Sequence, residues 1–162
     1  MATMNRVFID KEFHPIADRL VRRSVPGTTS IEGVFQNYRE LAVFAAGLGY
    51  RKRREHTVKE PGREIKLDAV GRVHSGGRQF VLALAVADSK TVTVLAPDKE
   101  SQKERAEIFE RYMNGGLGYL DGFVREKEAG LDGIARIVKS EHSPDETREE
   151  ALNLALLRLP SS

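Results

Sequence analysis

The sequence predicts a mainly α-helical protein, folded as one compact domain of five to six helices over residues 1–162. Three observations lead there. Apolar residues recur at 3.6-residue spacing through several stretches, glycine and proline breaks fall between those stretches, and the composition can supply a core. The apolar share is 40% beside 31% charged residues. That balance is ordinary for a globular chain and far from the signature of disorder.

The first helix is read from Phe13, where Phe13, Ile16, Ala17, Leu20 and Val21 form one stripe and Pro15 falls in the first turn. The stretch SVPGTTS then breaks the pattern at Pro26 and Gly27, and Thr29 or Ser30 is placed to cap a second helix. Val34, Phe35, Tyr38, Leu41, Ala42, Ala45 and Leu48 line its face, with Gly49 as a left-handed terminator.

Residues 51–78 read as a long basic connecting loop, with a short strand at Ile65–Leu67 or a hairpin within 64–94 as the β element the pattern admits. Phe80–Ala87 favours a short buried helix, while β-branched Thr91–Val94 is left open between helical and extended. From Pro97 the pattern clears. Ile108, Phe109, Tyr112, Met113, Leu117, Leu120, Phe123 and Val124 make a long stripe, and Gly115, Gly116, Gly118 and Gly122 predict a bend or break near Asn114. A short helix over Ile134–Val138 follows, and Ser143-Pro144-Asp145-Glu146 starts a C-terminal helix over 144–159.

Several chemistries are excluded or left unsupported. The chain has no cysteine, which removes disulfides, thiolate metal sites and cysteine nucleophiles. No apolar run approaches the roughly 20 residues of a membrane span, so a cytoplasmic location is expected. His14, His56, His74 and His142 are scattered, and none has a partner at metal-ligand spacing on a predicted helix. No metal, cofactor or catalytic residue is therefore expected. Glu104, Glu107, Glu110 and Asp121 alternate with cations in the manner of a solvated helix face, and Gly115-Gly116-Leu117-Gly118 lacks the strand and the Lys of a phosphate loop.

The charge distribution carries more. Residues 1–80 hold a net +6 and residues 81–162 a net −4. Arg51, Lys52, Arg53 and Arg54 sit together at a helix end, and Lys59, Arg63, Lys66, Arg72 and Arg78 follow. The partial negative charge of a helix C-terminus accounts for one or two of these cations. The rest make a segment suited to DNA phosphates, with an acidic protein surface as the competing partner.

Two blocks, YRELAVFAAGLGYRKRRE (38–55) and IFERYMNGGLGYL (108–120), resemble the Dnd system-associated protein 4 family, small proteins of bacterial DNA phosphorothioation and restriction loci. The matching positions are Phe44, Ala45, Ala46, Leu48, Gly49 and Tyr50, then Phe109, Glu110, Tyr112, Asn114, Gly115, Gly116 and Leu117. Met113 departs from the pattern, and the resemblance spans roughly residues 7–125. It implies an accessory role in defence against foreign DNA and transfers no catalytic residue. The expected function is thus a non-enzymatic accessory protein of a DNA modification and restriction system. It contacts DNA through its basic segment and has a protein partner from the same complex. The alternatives are a protein adaptor that touches no nucleic acid and a hydrolase using His56 or His74 with a loop carboxylate.

Overall fold

In the computed structural model, residues 5–24, 26–27, 31–68, 70, 76–126 and 133 are described. The expected helices at 134–138 and 144–159, together with Arg72 and His74, lie outside them.

The described chain is mainly helical, and four helices of seven residues or more carry it: α1 (His14–Leu20), α2 (Tyr38–Lys52), α3 (Gly77–Ser89) and α4 (Lys99–Glu126). Two of the five to six expected helices fall outside the described residues, so the count of four is made of the described residues alone. Among the described residues, β-structure consists of two short strand pairs and an isolated bridge between Val21 and Phe35. Strand β1 (Arg6–Asp10) runs antiparallel to β4 (Pro61–Lys66), and β2 (Arg23–Ser24) pairs with β3 (Ile31–Glu32). The strand expected near residue 65 exists, but it begins earlier and its partner is the N-terminal segment. Val7 and Ile9 point alternately inward and are fully buried, which gives β1 its period of two.

Helix α1 ends at Val21, which turns extended, so the stripe from Phe13 marks it closely. Helix α2 departs from expectation at both ends. It starts at Tyr38, because Asn37 Oδ1 accepts the N–H groups of Arg39 at 3.0 Å and Glu40 at 3.1 Å. Val34 and Phe35 precede it in irregular chain, where the Phe35 carbonyl accepts the Arg22 N–H at 2.7 Å. At its other end the helix runs through Gly49 to Lys52, and Arg53 takes the left-handed conformation at φ 53°. The supposed basic loop is therefore a helix end, a connection, a strand and, from Gly77, the next helix.

Gly49 serves a different purpose. A side-chain carbon there would overlap the Tyr112 carbonyl on α4, and one at Gly116 would overlap the Ala45 carbonyl on α2. These glycines let the two backbones touch, which makes α2 against α4 the most extensive pairing in the fold. The bend expected near Asn114 is accordingly replaced by an unbroken 28-residue helix. Packing along it returns more than the glycines' loss of helix propensity. Phe109, Met113, Leu117 and Leu120 are completely buried along α4, and Leu41 and Ala45 meet them from α2.

Helix α3 covers the segment expected to be a short buried helix, and Val92–Leu95 resolves as a 3₁₀ turn whose cap is Thr91. Pro97 precedes α4, and Asp98 Oδ1 accepts the Ser101 N–H at 2.9 Å. No helix among the described residues is long and apolar enough to cross a membrane.

Candidate functional site

The basic run occupies the last turn of α2 and the residues after it. Arg51, Lys52, Arg53 and Arg54 are all exposed. The main chain beneath them is fixed: the Arg54 N–H donates to the Gly49 carbonyl at 2.8 Å, and a carbon at Gly115 would overlap the Arg54 carbonyl. The side chains thus project from a rigid base formed by two packed helices. Lys52 Nζ lies 5.5 Å from the centroid of the Tyr119 ring.

The later cations are placed less uniformly. Lys59, Lys66 and Arg78 are exposed, in the connection after α2, at the end of β4 and in the first turn of α3. Arg63 is engaged within the fold. Its guanidinium stacks 3.9 Å from the Tyr38 ring centroid and lies 3.5 Å from Asp18 Oδ1. Burial and the hydrogen bond that the Tyr38 hydroxyl donates to Asp18 push the Tyr38 hydroxyl above the ordinary tyrosine value.

Beside the basic run lies a polar constellation that sequence reasoning missed. Asp10, 2% exposed, accepts the Lys59 N–H at 2.7 Å and the Glu12 N–H at 3.3 Å, and its Oδ2 is 3.1 Å from His56 Nε2. Glu12 Oε1 is also 3.1 Å from that nitrogen. Burial would raise the Asp10 carboxyl, but the N–H groups of Lys59, Glu12 and Glu60 together with His56 outweigh it and hold the group below the usual carboxylate range. The expectation that His56 has no partner is thereby corrected. Asp10 and His56 are 46 residues apart in sequence, and the fold joins them through β1 and the connection after α2.

Helix α4 organises this constellation. Asn114, fully buried, accepts the Asp10 N–H at 2.9 Å and donates to the Phe8 carbonyl at 2.9 Å. Glu110 Oε2 accepts the Phe8 N–H at 2.8 Å. Glu110 is therefore buried and structural, and the solvated-face reading fails for it because the outer edge of β1 needs an acceptor. The Arg111 carbonyl accepts the His56 N–H at 3.0 Å. Next to this lattice opens a cleft of about 430 Å3, whose lining includes Phe13, Arg54, His56, Asn114, Tyr119 and Phe123. The His56 ring meets Phe13 edge-on at 4.8 Å.

Arg111 also links this region to α3: Tyr112 donates to Asp88 Oδ1 at 2.6 Å, and Arg111 bridges Asp88 at 3.1 Å and Glu55 at 3.0 Å. The sequence blocks at 44–50 and 109–117 thus face one another across one interface. Their aromatic residues Tyr50 and Tyr112 meet at 5.4 Å.

A family model described as DNA sulphur modification system-associated protein 4 matches residues 17–157. Neither a curated protein nor a solved structure matches the chain.

Proposed function

The chain belongs to the DNA sulphur modification system-associated protein 4 family, and from that premise we propose that it is a non-enzymatic accessory protein of a bacterial DNA modification and restriction system, active in antiviral defence and contacting duplex DNA through the basic end of α2. The match reaches residue 157, so it takes in the C-terminal segment that the resemblance left out.

The observation that carries this reading is the exposure of Arg51, Lys52, Arg53 and Arg54 on a base held rigid by glycine packing. Four adjacent cations with ordered main chain present a compact positive surface that can release counterions from several phosphates. Lys59, Lys66 and Arg78 supplement it. Arg63 contributes less, because Asp18 and Tyr38 already hold its guanidinium. The family description supports a protein partner from the same system, and the net negative charge of residues 81–162 suits contact with protein rather than with DNA.

The test is equilibrium binding of the full chain to a labelled duplex over a range of salt concentrations. Linear decline of log affinity with log salt is the expected result. Absence of binding at low salt would leave the protein-adaptor reading in its place.

A further inference from the structure

We propose that Asp10, Glu12 and His56 form a binding site for one divalent transition-metal cation, Zn2+ or Mn2+ being the ions that suit the donor set. The inference stands apart from DNA contact and rests on how three donor atoms converge. Asp10 Oδ2, Glu12 Oε1 and His56 Nε2 all lie within 4.8 Å of one another, and the nitrogen is 3.1 Å from each oxygen. Two donors bound tetrahedrally to one ion at about 2.1 Å lie roughly 3.4 Å apart, so a cation fits among these atoms with small adjustments.

Hydrogen bonds satisfy the metal-free group, yet they set two carboxylates against a single imidazole. One imidazole N–H faces two carboxylate oxygens, and the Asp10 carboxylate is almost fully removed from solvent. Buried charge is ordinarily paired or bound to a metal. A cation held by all three donors neutralises both carboxylates at once. The mixture of one imidazole and two carboxylates favours Zn2+ or Mn2+ over Mg2+ and Ca2+, which prefer oxygen donors alone.

The surroundings hold the donors in place before any ion arrives. Lys59 N–H fixes Asp10 Oδ2 from outside, Asn114 anchors the Asp10 main chain, and the Arg111 carbonyl anchors that of His56. Asp10 also caps the 3₁₀ turn that carries Glu12. Two distant segments, both fastened to α4, therefore supply the ligands, in the way that outer hydrogen bonds orient metal ligands generally. Three protein donors leave room for a further ligand, and His56 also lines the neighbouring cleft.

The experiment uses the full chain, stripped with chelator and dialysed, then titrated with ZnCl2 by calorimetry and with MnCl2 by electron paramagnetic resonance. One equivalent is expected to bind saturably, and Zn2+ should raise the melting temperature. Glu12→Gln changes a half-exposed side chain, so the metal-free variant should melt like wild type while its affinity falls about tenfold or more. His56→Ala should do the same to affinity, and His14→Ala should leave it unchanged. No saturable binding, or equal affinity in wild type and Glu12→Gln, would overturn the proposal.

Discussion

Asn114 acts toward Asp10 as a neighbouring strand would: its Oδ1 accepts the Asp10 N–H at 2.9 Å, while its Nδ2 donates to the Phe8 carbonyl at 2.9 Å. The second Nδ2 proton goes to the Glu110 carbonyl at 2.9 Å, within α4 itself. This amide, together with Glu110, which accepts the Phe8 N–H, completes the free edge of β1 and binds it to the central helix. Asn114→Ala leaves the Asp10 N–H and Phe8 carbonyl buried without partners, at a cost of about 1–3 kcal/mol for each group. Urea unfolding of the two proteins measures the difference, and a loss below 0.5 kcal/mol, on the order of a neutral surface change, would refute this role.

Two glycines in α4 make opposite predictions for the same substitution. Gly122 has open space where a side chain would go, so Gly122→Ala should stabilise by about 0.5–1 kcal/mol through helix propensity. Gly116→Ala places its carbon against the Ala45 carbonyl of α2, which is backbone and cannot rotate away. It should destabilise by about 1–3 kcal/mol, as overpacked cores do. Thermal melts of both variants decide the matter by sign. Stabilisation by Gly116→Ala would mean that the helices do not touch there.

The helices were legible because their stripes are local: Phe13 to Val21 and Ile108 to Val124 declare themselves within a few turns. What escaped depends on contacts between distant positions. Val7 and Ile9 alternate over only five residues, and the strand that pairs with them begins at Pro61. Gly49 looks like a terminator in its own segment, since nothing nearby shows that Tyr112 presses against it. Glu110 sits among charges typical of a wet surface, and only β1 explains its burial. Asp10 and Glu12 drew no notice in sequence, because nothing local marks His56 as their partner. The basic run, being contiguous, was read directly.

Tyr112 offers a test at alkaline pH. Burial, then its hydrogen bond to Asp88, then the negative charge of Asp88 and Glu55 push its hydroxyl well above the ordinary tyrosine value. A folded-state value raised above the unfolded one contributes stability that is fully present below about pH 10 and is lost as pH rises through the folded value. Tyr112 should therefore keep its proton until the fold gives way. Ultraviolet titration of tyrosinate should show a late component that Tyr112→Phe diminishes, with Tyr38 still contributing to it, and the variant's stability should fall less steeply above pH 10. A titration unchanged by the substitution would contradict this account.

The last prediction concerns the end of α2. If Arg51, Lys52, Arg53 and Arg54 contact phosphates, each contact contributes about −0.9 to the slope of log affinity against log salt. The variant should combine Arg51→Ser, Lys52→Ser and Arg54→Ser with Arg53→Asn, because position 53 is left-handed and asparagine tolerates that conformation. The helix should keep its end, since the main-chain bonds of residues 53 and 54 to Tyr50 and Gly49 need no side chain. An unchanged circular dichroism spectrum checks that point independently. The slope should flatten by roughly two to four units, and affinity should fall alike for unrelated duplex sequences, because phosphates carry no sequence information. A separate Arg63→Ser variant should change the slope little, as Asp18 and Tyr38 already occupy that guanidinium. If the four-residue variant kept the wild-type slope, the cations at the end of α2 would be serving the helix terminus or a protein partner instead.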